Sequence, residues 1–402
     1  MKLKVIVPIV IVVVAAVCVI AGMNPLPAGG AENVLVVRNG NSPVSCRIAA
    51  YYASKRGISG GNIVTINVPD SSVSAANETI SYLDYRAKIE TPIHDFLFNK
   101  DLSDKVQYIV LTKGIPIRLP SDSASGAHGE SVDSMLAALD IANPMVIRLG
   151  PGANPLAAVI NRYWRSSEPF SHSKYGGYLV TRLDGYTEAD AKALVDRALA
   201  GQSSPTYVLM DAKFAPKPED IAKQPLSFLL PDGTGNKEFK LSYTDFDADM
   251  VKAGQIAGSR PHVTAIIDQT KTFIGSDKPL TIYCSWGSNA HENYKAEVYH
   301  SLKFAPRAIV ETGVSTSGRS FLPTTGGQSM IADLIAQGAA GAKCYVTEPY
   351  ITGVASPSVM VDLYTSGRNL AESYYAASRF IGWKDIVIGD PLCKLDVDKP
   401  AK

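Results

Sequence analysis

The chain has 402 residues, 46% of them hydrophobic, with 39 basic against 38 acidic residues and a formal net charge of +1. That length carries one large or two moderate α/β domains, and the balanced charge offers no basic face, which sets nucleic acid aside as a partner. Five cysteines without metal-type spacing give no zinc motif, so neither a metal nor a cofactor is expected.

Lys2 and Lys4 precede an apolar run from Val5 to Met23 that is interrupted only by Pro8. A basic start followed by an apolar core is the layout of an export signal. The run is also long enough to span a bilayer, and Ala28-Gly29-Gly30-Ala31 offers small residues for cleavage. Residues 1–31 are therefore expected to be a signal peptide or an N-terminal membrane anchor. The body would then be extracytoplasmic: secreted, periplasmic, or tethered to the inner membrane by the uncleaved segment. Export permits disulfides among Cys46, Cys284, Cys344 and Cys393, but the sequence leaves any pairing open.

In chain order, Val34–Val37 reads as a buried strand, Asn39-Gly40-Asn41 as a turn, and Ser42 with Pro43 as a helix start closed by Gly57. Ile63–Val68 is the next strand, so a parallel strand–helix–strand unit is expected. Ile80–Phe98 has a helical stripe that Pro92 should kink or split. Tyr108–Leu111 is a strand whose exit carries Lys113 and Arg118, read as surface loop charges in preference to an anion site. Ser121–Glu130 looks like a mobile loop and Ser131–Leu136 a helix start. A Gly/Pro-rich stretch from 150 to 175 marks a junction. Tyr178–Thr181 is a strand, Thr187 with Asp190 starts a regular helix, and Tyr207–Met210 is a strand ending at Asp211. Residues 215–240 read as a surface excursion. Asp245, Asp247 and Asp249 alternate like the start of a calcium loop, but Met250 and Ile256 stand where that loop needs Gly and Glu.

The most informative stretch lies between 281 and 316. Thr281–Cys284 and Ala308–Glu311 read as two buried strands, each opening into a small polar loop. In open α/β sheets, ligands sit outside the carboxyl ends of such strands. The binding candidates are Ser285, Trp286, Gly287, Ser288 and Asn289. Candidate chemistry is confined to Ser285 or Ser315 as nucleophile, with His291, Asp211 or Glu348 as base, because a hydroxyl nucleophile needs a base within hydrogen-bond reach. Beyond it, Met330–Ile335 reads as a helix, Lys343–Val346 as a strand exiting toward Glu348, Asn369 with Glu372 as a capping box, and Asp385–Ile388 as the last strand.

Val36-Val-Arg-Asn39, Tyr51-Tyr52 with Arg56-Gly-Ile, Leu111-Thr-Lys-Gly-Ile-Pro116 and Ser131-Val-Asp133 carry a resemblance. So do Tyr283-Cys-Ser-Trp-Gly-Ser-Asn289, Glu348-Pro-Tyr350, Ala371-Glu372 and Ile388-Gly-Asp-Pro-Leu392. The chain resembles an uncharacterised bacterial family of exported proteins, distantly similar to gingipain-type peptidases of the caspase clan. The resemblance implies an α/β fold, a largely parallel sheet flanked by helices, in two caspase-like subdomains. Their expected bounds are 32–174 and 175–395, with a polar tail at 396–402. In gingipain-like enzymes one strand ends in a Gly-His-Gly segment and the next in an Ala-Cys pair. Here Ser285–Ser288 and Gly313–Thr316 stand at those places, so the dyad is not carried over. The expectation is a binding or scaffold protein for an unknown extracytoplasmic ligand or protein, with a hydrolase rebuilt around Ser315 or Ser285 as the alternative.

Overall fold

The computed structural model describes residues 29–122, 127–149, 156–202, 205–222 and 243–396. Residues 1–28 of the expected signal peptide or anchor, part of the Ser/Gly loop, most of the 215–240 excursion and the tail beyond 396 lie outside the described residues. Among the described residues no helix is long and apolar enough to cross a membrane.

Ten strands build one sheet: β1 (Val34–Asn39), β2 (Ile63–Ile66), β3 (Tyr108–Thr112), β4 (Leu179–Leu183), β5 (Thr206–Asp211), β6 (Val263–Asp268), β7 (Leu280–Ser285), β8 (Phe304–Thr312), β9 (Gly341–Tyr345) and β10 (Asp385–Gly389). Their order is β6-β5-β7-β8-β9-β10-β4-β3-β1-β2. The fold is therefore α/β with a mostly parallel sheet flanked by helices. The inner strands β3, β4 and β7 are buried along their whole length. Strands covered on both faces read as continuous apolar runs, which is why they were legible. The helices Pro43–Arg56, Glu188–Leu199 and Ile331–Ala336 pack as one group, and Tyr243–Gly258, Pro357–Thr365 and Leu370–Ala376 as another. The expected boundary at 174/175 falls just ahead of β4, which pairs with β3.

β10 runs antiparallel to β9 over five residue pairs and touches β4 through one bridge of parallel type, Ile388 with Arg182. One bridge does not set the relative direction of two blocks of strands; the contacts beyond it do. Lys113, just past β3, donates to the Phe321 carbonyl past β8 at 2.9 Å. Asp390, past β10, binds Tyr52 and Arg56 in the last turns of the first long helix, at the edge where β1 begins. The carboxyl ends of β1, β3 and β4 thus open on the same rim as those of β5, β7, β8 and β9, and β10 alone runs against them.

The local signals behave as their chemistry requires. Ser42 caps the first helix by accepting the Ser45 N–H, and Gly57 closes it at φ 69°. Thr187 with Asp190 and Asn369 with Glu372 form reciprocal capping boxes. The break expected at Pro92 is present, the disfavoured calcium loop is absent, one strand was not foreseen, and one expectation is overturned. The Ile80–Phe98 stripe becomes Tyr82–Tyr85, a π-type turn at Arg86–Glu90 and Thr91–Asn99. The widened turn sits just ahead of Pro92, which has no N–H to give the preceding turn. Asp245, Asp247 and Asp249 lie inside the helix Tyr243–Gly258, not in a calcium loop. The edge strand β6 was missed, because its half-exposed residues show no buried run. Lys113 is not a surface charge: it is 4% exposed and paired with Asp184 at 3.1 Å.

Candidate functional site

The register of the parallel block brings Asp211, Ser285 and Thr312 side by side at the rim, since Ser285 pairs with Asp211 on one side and Thr312 on the other. Ser285 has no exposed surface. Its Oγ accepts the Gly287 N–H at 3.0 Å and its carbonyl accepts the Gly313 N–H at 2.9 Å. The hydroxyl is thus committed to shaping the turn that follows.

That turn is held at every residue. Gly287 takes φ 49°, a conformation favouring glycine. Ser288 and Ser329 exchange backbone-to-hydroxyl bonds at 3.1 and 2.9 Å. Asn289 donates to the Gly313 carbonyl and accepts from Gln328, both at 2.7 Å. Trp286 turns inward, edge-on to Phe246 at 4.9 Å and Tyr243 at 5.4 Å. Its indole N–H donates to Asp247 Oδ1 at 2.7 Å. The same oxygen takes the Lys213 N–H at 2.8 Å.

Beside the Trp286 ring a small open pocket is lined by Asp211, Lys213, Thr270, Phe273, Trp286 and Asn293, among others. Asp211 is only 5% exposed. Burial, then the neighbouring Asp268, push its carboxyl up to about 7, opposed by an Ile274 backbone N–H. Burial likewise raises Asp247 to about 6 against the pull of the Trp286 N–H. Desolvation penalises the charged carboxylate, and a like charge adds to it. The pocket is therefore lined by one acid poised near neutrality, Asp211, with two aromatic residues and the lysines Lys213 and Lys271, while Asp247 lies behind it on the Trp286 indole N–H.

The other candidates scatter along the rim. His291 is exposed and strained, with φ 53° and ψ −119°. Ser315 is half-buried. Glu348 is exposed and accepts the Tyr350 N–H at 2.9 Å. Among the described residues, no serine or cysteine side chain is hydrogen-bonded to a histidine ring. Cys46, Cys284, Cys344 and Cys393 are free thiols. Cys284 is fully buried, and burial, then Glu311, raises its thiol well above the usual range. A thiol so placed is not a nucleophile.

Sequence reasoning missed Asp247, Phe273 and Asp268. The Asp245–Asp249 alternation drew notice to the first only as a calcium-loop pattern that Met250 and Ile256 disfavour. Asp268 ends β6 and Phe273 lies just beyond it, and neither carried a local signal because that strand was not recognised.

No family model matches the chain, and no curated protein matches it. Among solved structures, one described as "Structure of Protease" matches with a TM-score of 0.41 and 8% identity, over 92% of this chain and 80% of that one. A superposition that loose assigns no chemistry.

Proposed function

We propose that this chain is an extracytoplasmic binding protein on a gingipain-like frame, and that its rim pocket holds a basic group of an external ligand or protein. Asp211 carries the reading: a nearly buried carboxyl group lining a pocket, with Asp268 and Asp247 near enough to raise it and a backbone N–H as its stabilising donor. An acid raised by burial and like charge gains most from an incoming cation. Phe273 and Trp286 supply ring faces to a guanidinium or ammonium group. Lys2, Lys4 and the apolar run to Met23 support the location. The hydrolase alternative is disfavoured at Ser285, whose hydroxyl is buried and engaged, and it rests on Ser315.

The test is calorimetric titration with L-arginine against its neutral analogue L-citrulline. Arginine should bind, and citrulline should not. Affinity should rise with pH through about 7, as Asp211 loses its proton, and Asp211→Asn should abolish the difference. Equal binding of both probes would sink the proposal. Covalent capture of Ser315 by a serine-directed probe would favour the hydrolase.

A further inference from the structure

We infer that Glu78, from the N-terminal part of the chain, is a positioning residue for the pocket loop 286–293 in the C-terminal part. Glu78 is 2% exposed. Its Oε1 accepts the Phe321 N–H and the Ser320 hydroxyl, both at 2.9 Å. Arg118 donates to the Arg319 carbonyl at 2.5 Å, and Lys113 to the Phe321 carbonyl at 2.9 Å. Three successive residues of the segment after β8 are therefore gripped by side chains from before residue 120.

The grip continues toward the pocket. Arg319 donates to the carbonyls of Gly326 and Gln328, each at 2.7 Å. Gln328 donates to Asn289 Oδ1 at 2.7 Å while its own oxygen accepts the Thr316 N–H at 2.9 Å. Ser329, next in the chain, bonds Ser288. The Asn289 carbonyl accepts from Lys213 at 3.4 Å, and Lys213, Ala290 and Asn293 line the pocket. Hydrogen bonds joined through the chain at 319–321 and 328–329 thus link Glu78 to the pocket wall, the kind of network through which coupling travels when its members have discrete arrangements. His291 lies within the held loop at φ 53°, and such strain persists only where the surroundings over-determine it.

The functional meaning of this coupling rests on the pocket being the ligand site; the coupling itself is read without ligand. Amide hydrogen exchange on the full chain tests it. Glu78→Ala should speed exchange by about tenfold both at 319–322 and at Ser288 and Asn289, since two buried donors lose their acceptor. Glu78→Gln should restore both segments, because its carbonyl oxygen accepts the same two bonds. Acceleration at 319–322 alone, or no rescue of 286–293 by Gln, would overturn the inference. Should Glu78→Ala fail to fold, Gln328→Ala decides: exchange should rise at 286–293 while the Phe321 amide, still bonded to Glu78, stays protected. Unchanged exchange at 286–293 would equally overturn it. Failure of arginine to bind would leave these outcomes untouched.

Discussion

Two neighbouring parts of one rim handle buried charge in opposite ways. At the carboxyl ends of β3 and β4, charges are closed on one another. Arg182, with no exposure, grips Asp133 through two nitrogens and donates to the Ile115 and Pro116 carbonyls. Lys113 is held by Asp184, the Gly185 carbonyl and the Phe321 carbonyl. At the ends of β5 and β7, buried carboxyls instead stand beside one another and beside aromatic rings, with protonation shifted toward neutrality. The first arrangement consumes its hydrogen-bonding capacity and makes structure. The second leaves capacity facing a pocket, which is what a binding site requires.

The comparison breaks most visibly at Arg182. Arg182→Leu strands Asp133 and two carbonyls in the interior, and should cost about 3–5 kcal/mol in urea unfolding at pH 7, with much of it recovered by adding Asp133→Leu. A loss below about 1 kcal/mol would show that the closed network does not hold the rim. Next comes Gly313→Ala on the other side. An added Cβ would stand 2.8 Å from Trp286 Cε3 and 3.1 Å from Phe246 Cε1, so overpacking should cost about 1–3 kcal/mol and shift the indole fluorescence. Unchanged stability and emission would mean that the Trp286 wall yields freely.

The last test is the pH dependence of Asp211→Asn. Folded Asp211 keeps its proton up to about 7, whereas an unfolded aspartate releases it near ~3.9. Between those values the folded state binds more protons, so this residue's contribution is fully present at low pH and is lost as pH rises through about 7. The variant should match the wild type near pH ~4 and gain on it as pH rises, by up to about 4 kcal/mol at pH ~8, the free energy of a shift of that size. Parallel stability curves for the two proteins would refute the shift.

How much of this was readable follows from range. Val34–Val37, Tyr108–Leu111 and Thr281–Cys284 announced themselves because strands covered on both faces need unbroken apolar runs. The caps at Ser42, Thr187 and Asn369 announced themselves because donor and acceptor lie within one turn. The rim position of Asp211 and of the 285–289 loop came from the same strand reading. The pocket did not, because part of it is built by Thr270–Phe273 just after β6, whose edge position leaves its residues half-exposed. The three aspartates, whose calcium-loop pattern Met250 and Ile256 already disfavoured, took their places for a related reason: their helix, packed against Pro357–Thr365 and β5, overrides a local alternation.

Composition and local pattern by themselves determined the α/β class and the strand ends on which a site would form. Only the tertiary structure decided which charges became structure and which remained available. Arg182 meets Asp133 across 49 positions, Lys113 meets Asp184 across 71 and Trp286 meets Asp247 across 39. Whether a buried carboxyl is paired or left facing a pocket depends on what folding brings to it from elsewhere in the chain, and desolvation makes that difference large.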